Sequence, residues 1–433
     1  MPVITNRIAI TAYLIDALVA EAQTNSPALK AASARVRAAT LEEAAIKTWE
    51  DPMGIFGGSV YSSRGFSPSE DGNLAYGIEQ KLPMWGRPKS SRYAAKTGTM
   101  IRQSELRYRS QQTRNEIIKA LVATALAERI VEIGEQDLGW LQATTQAAES
   151  KYRAGQGSVA DLLQVQNETA KRADTLQTQR LQLAHARFAL NRILNRDPGS
   201  GWPTLELPSV APGIPLSEKL LATAEKNEPK LEVLASQIKQ AEAALQLTRK
   251  MRLPDVSVGV EGRQYSGDGA FRSGMFTLRF SLPWINGDKY RKAYQRDEEL
   301  RKSAEEERQE QILILREELH HLAVGIESSR RDTLLQSGEI NDRALQALNS
   351  RLNDWSTGHG TFRDVLDARR TVIESLLMTA RSTAEEHQML ADMLFWTGLD
   401  NLEALVPFAN EPPLLPDHGS HAANPTPLQP NTQ

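Results

Sequence analysis

The second half of the chain contains two stretches in which apolar and polar side chains alternate. The apolar members are Val256, Val258 and Val260 in the first stretch and Phe276, Leu278, Phe280 and Leu282 in the second. A period of two places successive side chains on opposite faces, so each stretch is predicted to be a strand with one apolar and one polar face. Between them, Gly267-Asp268-Gly269 predicts a hairpin turn.

A weaker copy of this pattern lies in the first half. Leu74, Tyr76 and Ile78 alternate with small or polar residues, while the stretch from Met53 to Ser62 is rich in glycine. We therefore expect strand hairpins at 53–82 and 255–283, the first closed by a longer polar loop from Ser62 to Asn73.

A very long helical run follows each strand hairpin. Residues 88–151 and 288–351 contain almost no glycine or proline, and about 64 residues at 1.5 Å each make a rod of roughly 96 Å. A glycine-bearing turn then reverses the chain, which predicts helical hairpins at 88–195 and 288–397. Every seventh position of the first returning helix belongs to a coiled-coil-like seam: Leu162, Thr169, Leu176, Leu183 and Leu190.

Three matches at a nearly constant offset indicate a tandem duplication. A-x-x-N-x-P-x-L occurs at 22–29 and 224–231, a Leu-Pro step near tryptophan at 82–85 and 282–284, and two glycines before an aspartate at 155–161 and 358–364. Each copy opens with a predicted helix of about 25 residues. The predicted repeats are 11–200 and 215–400, with a linker at 201–214 and a disordered tail at 411–433.

One chain cannot cover the apolar surfaces that these patterns predict. Four strands are too few for a membrane barrel, which needs about eight, and an open sheet in lipid leaves unsatisfied edges. Two chains would give eight strands and three would give twelve. The fold class expected is mainly α with a membrane β-barrel, in an internally duplicated chain that oligomerises and packs its helical hairpins side by side.

Composition removes several classes of function. The net charge is −3, from 51 basic and 54 acidic residues, so no strong field attracts nucleic acid and we expect no nucleic-acid partner. The absence of cysteine excludes disulfides and thiolate sites. No apolar run reaches the ~18 residues of a membrane-spanning helix. The first 23 residues form no convincing signal peptide, which we expect either to have been removed or to lie upstream.

Candidate catalytic and metal-binding chemistry is sparse. His320 and His321 are adjacent on a predicted helix and point about 100° apart, so they do not easily chelate one ion from one chain. His418 and His421 lie in the predicted tail. No catalytic triad order, phosphate-binding glycine loop or paired carboxylate rises above background. We expect no enzyme activity, no cofactor and no specific metal site.

The doubled turn resembles a signature of the TolC family of outer membrane efflux proteins. Residues 151–166 fit Y-x-x-G-x-x-S-x-x-D-L-L, residues 352–369 are similar to the second signature turn of that family, and the resemblance covers roughly residues 10–400. Glu79 to Gly86 and Phe280 to Trp284 look more like the heavy-metal efflux branch than the multidrug branches.

The resemblance implies a homotrimer with a twelve-stranded barrel in the outer membrane and an α-helical barrel in the periplasm. The barrel would contact outer membrane lipid, and Glu261 and Arg279 would face its lumen. In this family the pore is a passive exit duct. A periplasmic adaptor, or membrane fusion protein, connects it to an inner-membrane efflux pump, here expected to be proton-driven, with heavy-metal cations as a candidate cargo.

Asp364 and Asp367 match aspartates that form acidic rings at the periplasmic aperture in this family, so the resemblance implies a gate at these positions. Spaced three apart, they project from one helical face. The alternative is structural, since an acidic residue in a first helical turn is favoured by capping and by the helix dipole.

The resemblance implies that the tips of the helical hairpins dock the adaptor, at Gly155, Gly157, Ser158, Asp161, Gly358, Gly360 and Thr361. We expect the four glycines to adopt positive φ. Asp161 is expected to cap the returning helix or, alternatively, to lock adjacent hairpins together through a basic partner such as Arg153 or Arg363. The strand–helix boundaries are placed at Pro83, Trp85, Pro283 and Trp284.

Two other classes of protein fit parts of the pattern. A soluble coiled-coil scaffold would need strands that do not face lipid. A periplasmic adaptor also has long helical hairpins, but it would carry one hairpin flanked by β-rich domains rather than two copies in tandem.

Overall fold

The computed structural model describes residues 7–59, 73–265 and 269–414. The chain forms two compact units. One, here the sheet unit, comprises Ala31–Arg107 and Lys230–Gln311. The remainder of the described chain forms the other, here the tip unit, because it contains both turns of the helical hairpins.

Helices account for most of the described chain. In chain order they are α1 (Ala12–Asn25), α2 (Pro27–Ala45), α3 (Arg87–Arg153), α4 (Val159–Leu194), α5 (Glu218–Asn227), α6 (Pro229–Met251), α7 (Gly287–Leu335), α8 (Asn341–Ser356) and α9 (Phe362–Thr397). The 67 residues of α3 correspond to about 100 Å of helix. The predicted seam of α4 is buried at Leu176 and Leu190.

The second long helical run differs from the prediction of one regular helix. A π-helical segment, Gln336–Ile340, separates α7 from α8. It contains Gly338, and the hydroxyl of Ser375 on α9 donates a hydrogen bond of 3.1 Å to the carbonyl oxygen of Gln336. Glycine weakens a helix, and a side chain bonded to the backbone disturbs its regular ladder. These contacts account for the local change of winding.

Four antiparallel strands form one sheet in the sheet unit. After a two-residue strand β1 (Ile8–Ala9), they are β2 (Met53–Ser59), β3 (Asn73–Lys81), β5 (Val256–Tyr265) and β6 (Phe271–Phe280). Their order is β2-β3-β5-β6, and Glu79 lies opposite Gly259 where the two strand hairpins meet. The turn residue Gly269 has a φ of 70°, whereas Ser62–Gly72, Gly267 and Asp268 lie outside the described residues.

The two faces of the sheet differ as the alternation predicted. One face presents exposed apolar side chains, from 40% exposed at Leu74 to 83% at Phe56. The others are Tyr76, Ile78, Val260, Phe276, Leu278 and Phe280. A sheet face this apolar and this exposed is typical of contact with lipid.

The opposite face carries an ion pair between a buried glutamate and an exposed arginine. The carboxylate of Glu79 pairs with Arg279 and accepts a hydrogen bond of 2.5 Å from the hydroxyl of Ser257. These two charged positions are 200 residues apart and therefore equivalent in the predicted repeats. Gly259 lies between their strands, where a Cβ atom would come within 2.6 Å of the Thr277 hydroxyl. Glycine at this position therefore avoids a clash with the neighbouring strands.

A short parallel pairing, absent from the sequence prediction, ties the linker between the repeats to the start of the described chain. Strand β1 pairs with β4 (Leu205–Glu206) in the tip unit. Among the described residues, the helices include none that is long and apolar enough to cross a membrane.

Candidate functional site: the two hairpin tips

The first tip joins α3 to α4 through a tight glycine turn. Gly155 has a φ of 73°, its N–H donates to the carbonyl of Tyr152, and the N–H of Gln156 donates to the carbonyl of Lys151. This pair of bonds satisfies the last carbonyls of the helix in the Schellman arrangement. Ser158 then caps α4 by accepting a hydrogen bond of 3.1 Å from the N–H of Ala160.

The second tip repeats this geometry between α8 and α9. Gly358 has a φ of 80°, its N–H donates to the carbonyl of Trp355, and the N–H of His359 donates to that of Asp354. Thr361 caps α9 as part of a capping box with Asp364. The two tips thus share one backbone solution at equivalent positions of the duplicated chain.

The glycine prediction is confirmed at Gly155 and Gly358 and is wrong at the other two positions. Neither Gly157 nor Gly360 has a positive φ. A Cβ atom on Gly157 would lie 3.0 Å from the backbone nitrogen of Tyr152, and one on Gly360 would lie 3.0 Å from Cβ of Asp354. These glycines are needed because the returning chain passes close to the end of the preceding helix.

Asp161 does not cap its helix as predicted. Ser158 is the cap, and Asp161 lies in the first turn of α4, where a carboxylate is favoured by the helix dipole. The suggested basic partners are engaged elsewhere: Arg153 pairs with Glu149 at 2.6 Å and Arg363 lies 4.0 Å from Asp367.

Asp364 is exposed and forms the second half of the capping box. Its carboxylate accepts hydrogen bonds from the hydroxyl of Thr361 at 2.8 Å and from the Thr361 N–H at 3.3 Å. The hydroxyl bond is the main reason why the pKa of Asp364 lies below its usual value. The side chain therefore carries a full negative charge at neutral pH.

Asp367 lies one turn further along the exposed side of α9. Its carboxylate is 3.3 Å from Arg370 and 4.0 Å from Arg363. The two predicted gate residues thus lie on one surface. They differ in their partners, because the carboxylate of Asp364 is bonded to the neutral Thr361, whereas that of Asp367 lies next to two arginines.

The second tip is anchored by a buried aromatic residue. Phe362, the first residue of α9, is completely buried and packs against Trp355 with ring centroids 5.2 Å apart. Leu141 of α3, Val165 of α4 and Leu348 of α8 belong to the same apolar cluster. The ammonium group of Lys151 lies 4.0 Å from the Trp355 ring and donates to the Trp355 carbonyl.

An ion cluster that the sequence reasoning missed joins three helices above the tips. The buried carboxylate of Asp137 on α3 binds Arg172 of α4 at 2.5 Å and Arg369 of α9 at 2.9 Å. The guanidinium of Arg369 also lies 4.9 Å from the Trp140 ring. The only signal in the sequence was an aspartate within an otherwise apolar helical stripe.

Two adjacent side chains of α9 hold the linker between the repeats. The N–H of Ala211 donates to the carboxylate of Glu386, and His387 Nε2 lies 2.8 Å from the carbonyl oxygen of Ser209. Burial raises the pKa of Glu386 to about 7 and lowers the pKa of His387. Burial disfavours the charged form of each group.

The strand–helix boundaries of the sheet unit are marked by tryptophan. Trp85 has a φ of 60° and its indole N–H donates to the carbonyl of Pro254 at 2.8 Å. Pro283 is buried at the start of a 3₁₀ turn, Pro283–Asn286, while Trp284 is 63% exposed. Each β-hairpin therefore passes into its long helix through an indole at the surface.

The histidines of the predicted helix do not form a metal site in the described structure. His320 and His321 are both exposed on α7. Nowhere in the described ranges do three or more histidine, aspartate or glutamate side chains converge to hold an ion. His418 and His421 lie outside those ranges.

Comparison with known proteins identifies the family. A model of the outer membrane efflux protein family matches residues 18–196 and 220–393. The chain belongs to this family. The two matched segments correspond to the two predicted repeats of this outer membrane efflux protein, and the alternatives of a soluble scaffold or an adaptor are set aside.

Solved structures show the same fold. The outer-membrane channel OprN is 15% identical, with a TM-score of 0.77 and 89% of each chain covered. The outer membrane protein VceC from Vibrio cholerae is 17% identical, with a TM-score of 0.73 over 89% of this chain and 96% of that one. The CmeC outer membrane channel of Campylobacter jejuni is 13% identical, with a TM-score of 0.74 over 92% and 89%. No curated protein sequence matches this chain.

Family membership places the function at the cell envelope. The protein is an efflux channel of the outer membrane that extends into the periplasm. The exposed apolar face of its sheet agrees with a lipid environment.

Proposed function

We propose that this efflux protein works as a homotrimeric exit duct. The observation that carries the proposal is the four-stranded sheet, whose apolar face is exposed and whose outer strands β2 and β6 pair on one side only within the described chain. Because adjacent strands alternate in direction, β6 of one copy can pair with β2 of the next in the same antiparallel sense. Three copies would contribute twelve strands, with Glu261 and Arg279 facing the lumen.

The hairpin tips are the proposed contact with a periplasmic adaptor. Both turns are exposed around Gly155 and Gly358, and their matching geometry gives a trimer six similar tips. The adaptor would connect the duct to an inner-membrane pump, which we propose to be proton-driven. Because the duct is passive, this arrangement needs no catalytic residue or cofactor in the chain.

Asp364 and Asp367 are the proposed gate at the periplasmic aperture. Three copies would bring six carboxylates towards one axis, which attracts cations and repels anions. The low pKa of Asp364 supports a charged ring at neutral pH. Asp367, next to two arginines, would contribute less to the field of the ring.

Single-channel recording in planar bilayers tests the duct and the gate together. The double variant Asp364→Asn with Asp367→Asn is expected to conduct more readily and to lose block by divalent cations. Asp161→Asn is the matched control, since Asp161 occupies the equivalent position of the first tip. Unchanged conductance and unchanged cation block in the double variant would contradict the gate, whereas the absence of any channel in the parent protein would contradict the duct.

For the cargo we propose heavy-metal cations. The support is the resemblance of residues 79–86 and 280–284 to the heavy-metal efflux branch. A strain that lacks the protein should become sensitive to metal salts while its sensitivity to organic antibiotics stays unchanged. The reverse pattern would assign the duct to organic cargo.

A further inference from the structure

Three basic residues with the same spacing follow each strand hairpin in the sequence. Lys89, Arg92 and Lys96 of α3 are matched 200 positions later by Lys289, Lys292 and Arg296 of α7. Positions i, i+3 and i+7 lie on one face of a helix, and all six side chains are exposed. We call these sets the first and second basic triads. Both belong to the sheet unit.

Each basic triad follows an exposed apolar side chain located between the last strand of a hairpin and the long helix. Trp85, 46% exposed, precedes Lys89 by four residues, and Ile285, 70% exposed, precedes Lys289 by four. Both apolar side chains lie in the short turn that joins the last strand of a hairpin to its long helix, just before the helix that carries the triad. Leu282, 41% exposed, continues the alternation of the apolar face of β6. In each half of the chain, an apolar strand is thus followed by an exposed apolar side chain and then by three cations.

Most of these cations are available to an external partner. Lys89, Lys96 and Lys289 form no ion pair within the described residues. Lys292 lies 3.3 Å from Asp288, and Arg296 lies 2.5 Å from Asp297, but both cations remain well exposed. The Lys292–Asp288 pair is exposed on both sides, and such pairs are weak. Two cations are less available: Arg296 binds the buried carboxylate of Asp297, and Arg92 donates to the carbonyl of Ile46 and the hydroxyl of Thr48.

We infer that the two basic triads bind the phosphate groups of anionic phospholipids in the periplasmic leaflet of the outer membrane. The inference rests on the proposed duct, which sets the sheet in the bilayer and the helices in the periplasm. Indole rings favour the membrane–water interface, and clustered cations beside a membrane attract anionic headgroups. Charge complementarity therefore selects anionic over zwitterionic lipid at this boundary.

The test compares lipid retention by three forms of the full-length protein. The parent, the variant Lys89→Gln/Lys96→Gln/Lys289→Gln/Lys292→Gln, and a control are exchanged into mixed micelles containing phosphatidylglycerol or phosphatidylcholine. The control, Lys171→Gln/Lys302→Gln/Arg331→Gln/Arg343→Gln, removes four cations that are more than half exposed elsewhere on the helices. Native mass spectrometry counts the lipids that each form retains. Arg92 and Arg296 are left unchanged, because Arg92 bonds to Ile46 and Thr48 and Arg296 binds the buried Asp297.

The parent and the control should retain phosphatidylglycerol in preference to phosphatidylcholine. The triad variant should lose this preference by more than about tenfold, and added salt should weaken the preference of the parent. Equal retention by all three forms would overturn the inference. So would a triad variant with changed ion selectivity but unchanged lipid retention, because the cations would then line the lumen. Channel formation by the parent in pure phosphatidylcholine bilayers reports separately on the duct itself.

Discussion

The two hairpin tips have the same backbone and different side-chain anchors. Each reverses at a glycine of positive φ, Gly155 or Gly358, and each starts its returning helix with a hydroxyl cap. The first residue of α4, Val159, is 47% exposed, whereas its counterpart Phe362 in α9 is fully buried. The second tip also has a reciprocal capping box, while the first has a single cap bond.

This difference distinguishes the residues that the turn needs for its backbone geometry from those that pack it against neighbouring helices. The glycines are needed wherever a helix reverses so tightly, and duplication preserved them in both copies. The apolar cluster around Phe362 includes residues of α3 and α4. The second tip is therefore stabilised by packing against the helices of the first hairpin. The first tip has no such anchor at its equivalent position, which leaves it more accessible to a partner.

The largest effect is expected from removing the aromatic anchor. Phe362→Ala should destabilise the second tip by about 3–5 kcal/mol, because a completely buried ring is lost and a cavity remains. Val159→Ala at the first tip should cost less than about 0.5 kcal/mol, as for most exposed positions. Amide hydrogen exchange over the two turns measures both. Similar losses of protection at the two tips would contradict the proposed asymmetry.

The reversal glycines should behave alike. Gly155→Ala and Gly358→Ala should each cost about 1–2 kcal/mol, because a Cβ atom disfavours the left-handed conformation. Thermal unfolding of the two single variants gives the comparison. A difference between them greater than about 1 kcal/mol would mean that packing, rather than the backbone, decides the geometry of one tip.

The caps should differ by a smaller amount. Thr361→Ala should cost about 1–2 kcal/mol and Ser158→Ala about 0.5–1 kcal/mol, because only the former breaks a reciprocal pair. Thr361→Ser keeps the hydroxyl and serves as the control in the same hydrogen-exchange measurement. Equal costs at the two positions would indicate that the Asp364 half of the box contributes nothing.

The smallest effect should appear on acidification. The pKa of Asp364 is below its ordinary value of 3.8 in the folded protein, so its contribution is present above that value and is lost as the pH falls through the lower, folded pKa. The second tip should therefore lose protection below about pH 4 relative to the first. Asp364→Asn should abolish this relative change. A first tip that responds equally to acid would contradict the assignment to Asp364.

The elements of the fold could be predicted because their signals are local. Alternation at Val256 to Glu261 and the long glycine-poor runs specify strand and helix through side-chain period alone. The turn glycines were also predictable, although their two distinct roles were not. A glycine can permit a positive φ, or it can leave space where two segments of backbone come close. Which of these roles it has depends on the path of the chain around it, and neighbouring residues in the sequence do not define that path.

Contacts between distant helices could not be predicted. Asp137, Arg172 and Arg369 lie on three helices, and no spacing in one chain segment indicates that they meet. The burial of Phe362 also depends on contacts with distant helices. The local sequence does not distinguish it from Val159, its exposed counterpart in the first tip, because both are apolar residues at a helix start. Asp364 and Asp367, the proposed gate residues, match a family motif, but the capping box that lowers the pKa of Asp364 depends on how the chain enters α9.

The pair of Glu79 and Arg279 has a consequence for the ancestry of the protein. These positions descend from one residue of the unit that was duplicated, yet they now carry opposite charges and bind each other. A ring of six identical half-chains would place the same charge at every such position, and like charges at close range repel. Divergence after fusion thus made the halves complementary, and neither could now assemble with copies of itself alone without leaving a buried carboxylate or its arginine unmatched.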